Sequence, residues 1–173
     1  LLLAFIAITF SSCGKKITYT AKKKLPESAD YSSGIHVNNF DVNISSHTFS
    51  NGKGTIKFDG EVTLIGNYAF SGCEGLESIT IPNSVITIGN SAFSYCSNLS
   101  SVTIPNSVTK IADDAFDGCN ALSSIVIESG NIKYDSRENC NAIIETATNT
   151  LIHGCKNTTI PNSVTSIGTQ AFS

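Results

Sequence analysis

The sequence predicts a β-rich repeat solenoid with short parallel strands, short helical or 3₁₀ turns and an N-terminal β cap. The first observation behind this is that the run Ile-Pro-Asn-Ser-Val begins at Ile81 and again at Ile104. The second is that the Ala-Phe pair ending at Phe93 recurs at Phe116, at the same interval of 23 residues. A fixed period of this size is typical of coils that stack on one another.

Within one period, the spacing of the apolar residues changes partway. Leu99, Val102 and Ile104 step by three residues and then by two, which indicates a short strand entered from a bend. Pro105 ends that strand because proline has no amide hydrogen to give to a ladder. Residues 111–119 then predict a short helical or 3₁₀ turn that packs its Ala-Phe pair beneath the strand. Each coil therefore depends on its neighbours for a core.

This pattern resembles the leucine-rich repeat of the BspA-like family, Leu-x-x-Leu-x-Ile-Pro-x-Ser-Val-x-x-Ile-Gly-x-x-Ala-Phe-x-x-Cys. The match runs from about Ile56 to Ser173. The resemblance implies a leucine-rich-repeat stack in a cell-surface or secreted protein of a host-associated microbe. Members of the family are described as adhesins that bind host proteins, and their repeats are not known for catalysis. The partner that the resemblance implies is a host extracellular protein or a protein of a neighbouring cell.

The N-terminal segment resembles a bacterial lipoprotein signal. Residues 1–12 hold an uncharged apolar run followed by two serines, which is too short to span a bilayer and fits a truncated signal peptide. We expect Cys13 to be lipidated and to anchor the chain to the outer membrane, on its surface or periplasmic face. Residues 13–33 then predict a polar, lysine-rich tether. A clipped ordinary signal peptide or a core strand is the alternative for the apolar run.

Residues 34–54 predict the N-terminal cap, and residues 55–173 predict the repeats. Asn51-Gly52 between two weakly alternating runs is a hairpin signal. The period breaks after Ile127, and the insertion at residues 131–157 carries two apolar runs that predict a β-hairpin extending from the stack. The last repeat stops at Ser173 before its expected cysteine, so we expect the array to be longer.

Composition and spacing favour a protein without enzyme activity, cofactor, metal or small-molecule substrate. The net charge of −3 argues against nucleic acid as the main partner. The sequence contains no Gly-rich phosphate loop, nucleophile elbow or paired-carboxylate motif. The cysteines at the repeat period, which form a line and not a convergent metal site, are Cys73, Cys96 and Cys119. Cys140 and Cys155 form either a disulfide or two free thiols, and the sequence leaves both alternatives open.

Two sets of residues are candidates for ligand contact. The hydroxyl residues that point outward from the repeat strands include Ser78, Thr80, Ser101 and Thr103. A face of this kind offers little affinity per coil, because binding hot spots favour Trp, Tyr and Arg. Tyr134 and Arg137 lie in the insertion, which breaks the repeat and predicts a more distinctive contact.

Two function classes fit these features. In the first, the chain is a membrane-anchored module that mediates protein binding or adhesion at the bacterial cell envelope. In the second, it is a structural spacer or scaffold lipoprotein that presents a further domain. A glycan-binding lipoprotein is a weaker hypothesis, because sugar sites usually present aromatic rings and the strand face has none.

Overall fold

The computed structural model describes residues 15–28, 35–36 and 38–173. Within these residues the regular structure is almost entirely β-strand, in four sheets of six, three, four and two strands. No helix in this part of the chain is long and apolar enough to cross a bilayer. In chain order the strands are β1 (Lys16–Ala21), β2 (Glu27–Ser28), β3 (Ile35–His36), β4 (Ile44–Ser50), β5 (Lys53–Phe58), β6 (Leu64–Ile65), β7 (Leu76–Thr80), β8 (Thr87–Ile88), β9 (Ser101–Ile104), β10 (Lys110–Ile111), β11 (Ser124–Ile127), β12 (Tyr134–Asp135), β13 (Ile143–Glu145), β14 (Thr150–His153) and β15 (Ser166–Ile167).

The repeat coils each contribute one longer and one shorter strand. The longer strands β7, β9 and β11 pair in parallel, with Ser101 opposite both Ser78 and Ser124. The shorter strands form a separate parallel sheet in the order β10-β8-β6. Every parallel pairing among these six strands keeps the interval of the sequence repeat, so the predicted solenoid of stacked coils is confirmed.

The segments between the short and long strands pack a column of phenylalanines through the core. Phe70, Phe93 and Phe116 are buried and stack face to face, with ring centroids 5.3 and 5.2 Å apart. The backbone here forms successive turns and not a helix, because residues such as Tyr68 and Tyr95 have positive φ angles of 61° and 58°. The short helical turn expected in each coil is therefore a run of tight turns.

The first strand corrects the prediction of a polar tether over residues 13–33. β1 lies inside the six-stranded sheet, antiparallel to β5 on one side and to β7 on the other. Ile17, Tyr19 and Ala21 point into the core and alternate with threonines, which is the period of a half-buried strand. The lysines that suggested a solvated segment lie at the two ends of this strand and leave its interior apolar on one face.

The N-terminal cap is larger than the predicted residues 34–54. The hairpin at Asn51-Gly52 is confirmed, since β4 and β5 pair on either side of it and both turn residues have positive φ. Its second strand extends to Phe58, and β1 belongs to the same sheet. Gly54 is required within β5 because the ring of Tyr19 crosses it, and an added Cβ would lie 1.9 Å from that ring. The cap therefore joins the first repeat without a boundary at residue 54.

The insertion at residues 131–157 contains the expected hairpin, but the hairpin is built into the stack. β13 and β14 are antiparallel, and β14 pairs in parallel with β15 of the following coil. Ile143, Ile144 and Leu151 are fully buried. The apolar runs that predicted a projecting hairpin instead supply core to the coils on both sides.

Removing one ring of the phenylalanine column tests whether the coils stabilise one another. We expect Phe93→Ala to lower the free energy of unfolding by about 3–5 kcal/mol, because it leaves a cavity between two stacked rings. Amide hydrogen exchange should show lost protection in the coils of Phe70 and Phe116 as well. Tyr95→Ala, which removes an exposed ring, is the control and should change stability by less than about 1 kcal/mol. Loss of protection confined to the coil of Phe93 would contradict the stacked model.

Candidate binding surface

The outer face of the six-stranded sheet carries two rows of aligned side chains. The strand registers place a threonine at the same level on five neighbouring strands. This row consists of Thr48, Thr55, Thr18, Thr80 and Thr103, followed by Val126 on β11. The second row consists of Ser50, Lys53, Thr20, Ser78, Ser101 and Ser124. We call these twelve residues the hydroxyl face.

The predicted contact residues lie together on this face. Thr80, Ser101 and Thr103 are exposed, and Ser78 is half-buried. The hydroxyl oxygens of Ser78 and Thr20 lie 2.7 Å apart. Neighbours in a row are about 4.8 Å apart across the sheet, and the two rows are about 6.7 Å apart along the strands. The structure therefore arranges the four residues as part of a regular array of hydroxyl and methyl groups.

Half of the hydroxyl face was missed by the sequence analysis. Thr18 and Thr20 lie in β1, where the strict alternation of Ile17, Thr18, Tyr19 and Thr20 was the available signal. Flanking lysines obscured it, because a lysine-rich segment without a repeat motif fits a tether equally well. The sequence predicted the hairpin of β4 and β5. It gave no signal that the outward residues of these two strands continue the rows of the repeats.

Charge is distributed unevenly over the hydroxyl face. Its outward positions on β7, β9 and β11 are uncharged, whereas Lys53 lies in the second row and the pair Lys16–Lys57 lies beyond the first. The repeat half therefore offers hydrogen bonds and small apolar contacts, and the cap half adds positive charge. Threonine pairs across strands also stabilise the sheet itself, so part of the array serves the fold.

Tyr134 does not contribute to a contact surface, which corrects the prediction from the sequence. The residue is 5% exposed and occupies the position in the coil that Ile111 holds one repeat earlier. Its hydroxyl accepts a hydrogen bond of 3.2 Å from the Ile111 amide. Burial raises the pKa of this hydroxyl above its ordinary value. Tyr134 is therefore a core residue that joins two coils.

Arg137 is also engaged within the fold. Its guanidinium donates two hydrogen bonds to Asp135, at 2.8 and 2.6 Å, and one of 2.9 Å to the Asn149 side chain. A further bond of 3.2 Å reaches the hydroxyl of Ser163 in the next coil. The hydrogen bonds to Asp135 raise the pKa of the guanidinium. The insertion residues expected to contact a ligand thus hold the insertion to the stack, and the sequence pattern could not distinguish the two roles.

The cysteines act as small buried side chains or as free thiols. In the repeat column, the thiols of Cys96 and Cys119 donate to the carbonyl oxygens of Phe70 and Phe93, each at 3.1 Å. Burial raises the pKa of Cys96 well above its ordinary value, which disfavours a reactive thiolate. Cys140 and Cys155 are both free, so the disulfide alternative is not realised in the structure. In the described part of the chain, no group of three or more His, Cys, Asp or Glu residues could hold a metal ion.

His153 ends the aromatic column inside the core. Its ring centroid lies 5.5 Å from that of Phe116, it is 4% exposed, and among the described residues Nδ1 has no hydrogen-bond partner. Burial lowers the pKa of this histidine to about 4, against the opposing effect of Asp117. The insertion therefore places an uncharged imidazole where a regular coil has a phenylalanine.

The family of the chain follows from comparison with known proteins. A family model described as BspA type leucine rich repeat region matches residues 42–173 in 6 copies. The chain belongs to this family, and the resemblance noted from the repeat motif is confirmed. No match was found among curated proteins.

The chain is similar to three solved bacterial proteins. The structure of a leucine rich cell surface protein from Faecalibacterium prausnitzii is 30% identical, with a TM-score of 0.52, over 64% of this chain and 36% of that one. A leucine-rich repeat protein from Bacteroides ovatus is 33% identical over 76% of this chain and 30% of its own, with a TM-score of 0.47. The pneumococcal vaccine antigen PcpA is 21% identical over 61% and 33%, with a TM-score of 0.49. The chain spans about a third of the length of these proteins.

The buried histidine predicts that acid weakens the fold. The pKa of His153 is about 4 in the folded chain, whereas an exposed histidine has one of 6.5. Between these two pKa values the unfolded chain binds more protons than the folded chain. The free energy of unfolding is therefore highest above pH 6.5 and declines as the pH falls toward 4. The loss approaches about 3 kcal/mol for this one group. Urea unfolding at pH 7.5 and 4.5 should show a smaller decline for His153→Phe, and equal declines for both proteins would contradict the assignment.

Proposed function

We propose that the chain is a protein-binding repeat module of the bacterial cell envelope, anchored to the outer membrane through a lipid on Cys13. Its partner is a host extracellular protein or a protein of a neighbouring cell, and the hydroxyl face makes the contact. Membership of a leucine-rich-repeat family and the similarity to a leucine rich cell surface protein support a surface location and a binding role. The observation that carries the proposal is the continuity of the hydroxyl face across all six strands.

The chemistry of the face suits a protein partner that makes many weak contacts. Serine and threonine hydroxyls donate and accept hydrogen bonds, and the threonine methyl groups add small apolar contacts. No single residue of the face is of a type that usually dominates binding energy. Affinity then depends on the number of coils and copies that engage together. The exposed rings of Tyr68 and Tyr95 lie in the turns between strands and not on the face, which disfavours a sugar site there.

The position of β1 bears on how an anchor at Cys13 would hold the molecule. β1 begins at Lys16, three positions after Cys13. That segment spans at most about 10 Å when fully extended. An anchor there would hold the six-stranded sheet close to the bilayer, with Lys16 and Lys57 side by side at the end of β1 nearest the lipid. This favours a module that acts at the membrane surface over a spacer that carries another domain away from it.

Substitution on the hydroxyl face tests the binding role. We expect Thr80→Lys/Thr103→Lys to reduce binding to a panel of immobilised extracellular-matrix proteins at least tenfold, because two long charged side chains separate the flat face from its partner. The control is Asn83→Lys/Thr109→Lys, which adds the same charge at exposed positions off the face. Surface plasmon resonance measures both. Equal binding by the two variants would exclude the face as the contact, and no binding by the parent would favour the spacer.

Membrane attachment is tested separately. We expect the parent protein, expressed with its signal in a related host, to partition into the detergent phase, and Cys13→Ala to move to the aqueous phase because it cannot be acylated. Phase separation with Triton X-114 followed by immunoblotting makes the measurement. Retention of Cys13→Ala in the detergent phase would contradict the lipid anchor without affecting the binding test.

A further inference from the structure

A chain of hydrogen bonds, buried at Leu25 and Tyr19 and exposed at Glu27, connects three elements of the cap. The Leu25 amide donates to the Tyr19 hydroxyl at 3.2 Å, and that hydroxyl lies 2.7 Å from Nε2 of His47. Nδ1 of His47 lies 2.9 Å from Oε1 of Glu27. The His47 side chain is 1% exposed, and Tyr19 is buried beneath the hairpin. We call this set of four residues the relay.

The relay fixes which nitrogen of His47 carries a hydrogen. The Tyr19 oxygen accepts from Leu25, which leaves its own hydrogen to be donated to Nε2. An ionised Glu27 can only accept, so Nδ1 must be the protonated nitrogen. Neutral His47 in this one tautomer satisfies every donor and acceptor of the relay.

Protonation of His47 breaks this match. A second hydrogen on Nε2 would face the Tyr19 hydroxyl hydrogen, and one of the two donors would be left without an acceptor in a buried place. Burial lowers the pKa of His47, Lys24 acts in the same direction, and Glu27 opposes both. Lys24 also lies 3.7 Å from the Glu27 carboxylate, so this carboxylate is shared between the Lys24 ammonium group and the His47 ring. The fold therefore favours the neutral imidazole.

We call residues 22–28 the strap and the coil of β7 the second coil. The relay holds the strap against residues 72–77, which lead into β7. Leu25 in the strap is buried, and it faces Gly75, where an added Cβ would lie 3.4 Å from its side chain. The strap also forms one wall of an open cleft of about 730 Å³, whose opposite wall includes Gly72, Cys73 and Gly75. Opening the strap would therefore expose the surface on which the Leu25 side chain packs, and it would widen this cleft.

We propose that the strap is a pH-responsive element: it is closed when His47 is neutral, and protonation of His47 releases it from the second coil. Closure is complete above the ordinary histidine pKa of 6.5, and it is lost as the pH falls through the lowered pKa of His47. The proposal does not depend on lipidation at Cys13 or on binding by the hydroxyl face.

Hydrogen exchange of the Leu25 amide reports directly on the relay. Between pH 7.5 and 5.0, we expect its protection factor, corrected for intrinsic exchange, to fall about tenfold in the parent protein. Protection of the Leu99 amide, in a coil away from the strap, should fall only as far as the titration of His153 lowers the stability of the whole fold. In His47→Gln, which cannot titrate at residue 47, Leu25 protection should fall no more than Leu99 protection does. Constant protection of Leu25 in the parent would overturn the proposal.

Two further measurements keep the test decisive if His47→Gln does not fold. The ¹⁵N shifts of His47 at pH 7.5 should show hydrogen on Nδ1, and hydrogen on Nε2 would overturn the relay. His36 lies in β3, which pairs with β2 of the strap, so His36→Gln is the matched histidine control. The pH dependence should persist in His36→Gln. Its disappearance there would assign the effect to His36 and overturn the role of His47.

Discussion

The fold depends on contacts between equivalent positions of successive coils. The amides of Phe70 and Phe93 donate to the alanine carbonyls of the next coil, at 2.7 and 2.8 Å, and the phenylalanine rings stack on one another. The Cys96 thiol donates back to the carbonyl of Phe70. Each coil thus satisfies its neighbour's backbone as well as covering its core. Polar satisfaction and apolar burial repeat at the same interval, which is why the sequence must keep its period.

The cap covers the first end of the stack, and its strand β1 lies between the long strands of the first two coils. β5 lies in the same direction as β7, but β1 separates them with the opposite direction, while β6 and β8 pair directly. The two sides of the first coil therefore differ by the width of one strand. Polar side chains close the narrower side, where the Asp41 carboxylate accepts hydrogen bonds from the amides of Thr63 and Leu64. The strap and the relay lie where the cap meets the second coil.

The sequence predicted the periodic part of the structure and not its exceptions. The Ile-Pro-Asn-Ser-Val run, the Ala-Phe pairs and the turn at Asn51-Gly52 each carry a local reason for their conformation, so the coils and the hairpin could be derived. The aligned residues of the hydroxyl face followed for Ser78, Thr80, Ser101 and Thr103 because the period sets their register. β1 could not be placed, since its partners are chosen by tertiary pairing and its own residues only indicate a strand.

The same limit explains the two insertion residues. Tyr134 and Arg137 were expected to contact a ligand because they are the residue types that binding sites favour. Those types are equally suited to joining coils, as the hydrogen bond to Ile111 and the four bonds of the guanidinium illustrate. The chemistry of a side chain alone does not show whether it contacts another part of the same chain or a binding partner. Burial decides it, and burial here depends on how the hairpin returns to the stack.

The position of β1 also has a consequence for the order of folding. Thr18 pairs with Thr55 and Thr80, 37 and 62 residues further along the chain, whereas the coils pair at the shorter interval of the repeat. Because closing a longer loop is slower, we expect the earliest strand of the described chain to enter the sheet after the coils have formed. Until it does, β5 and β7 present unpaired edges that could pair with another chain. Substitutions in residues 16–21 would therefore act on aggregation during folding, before they act on the stability of the finished sheet.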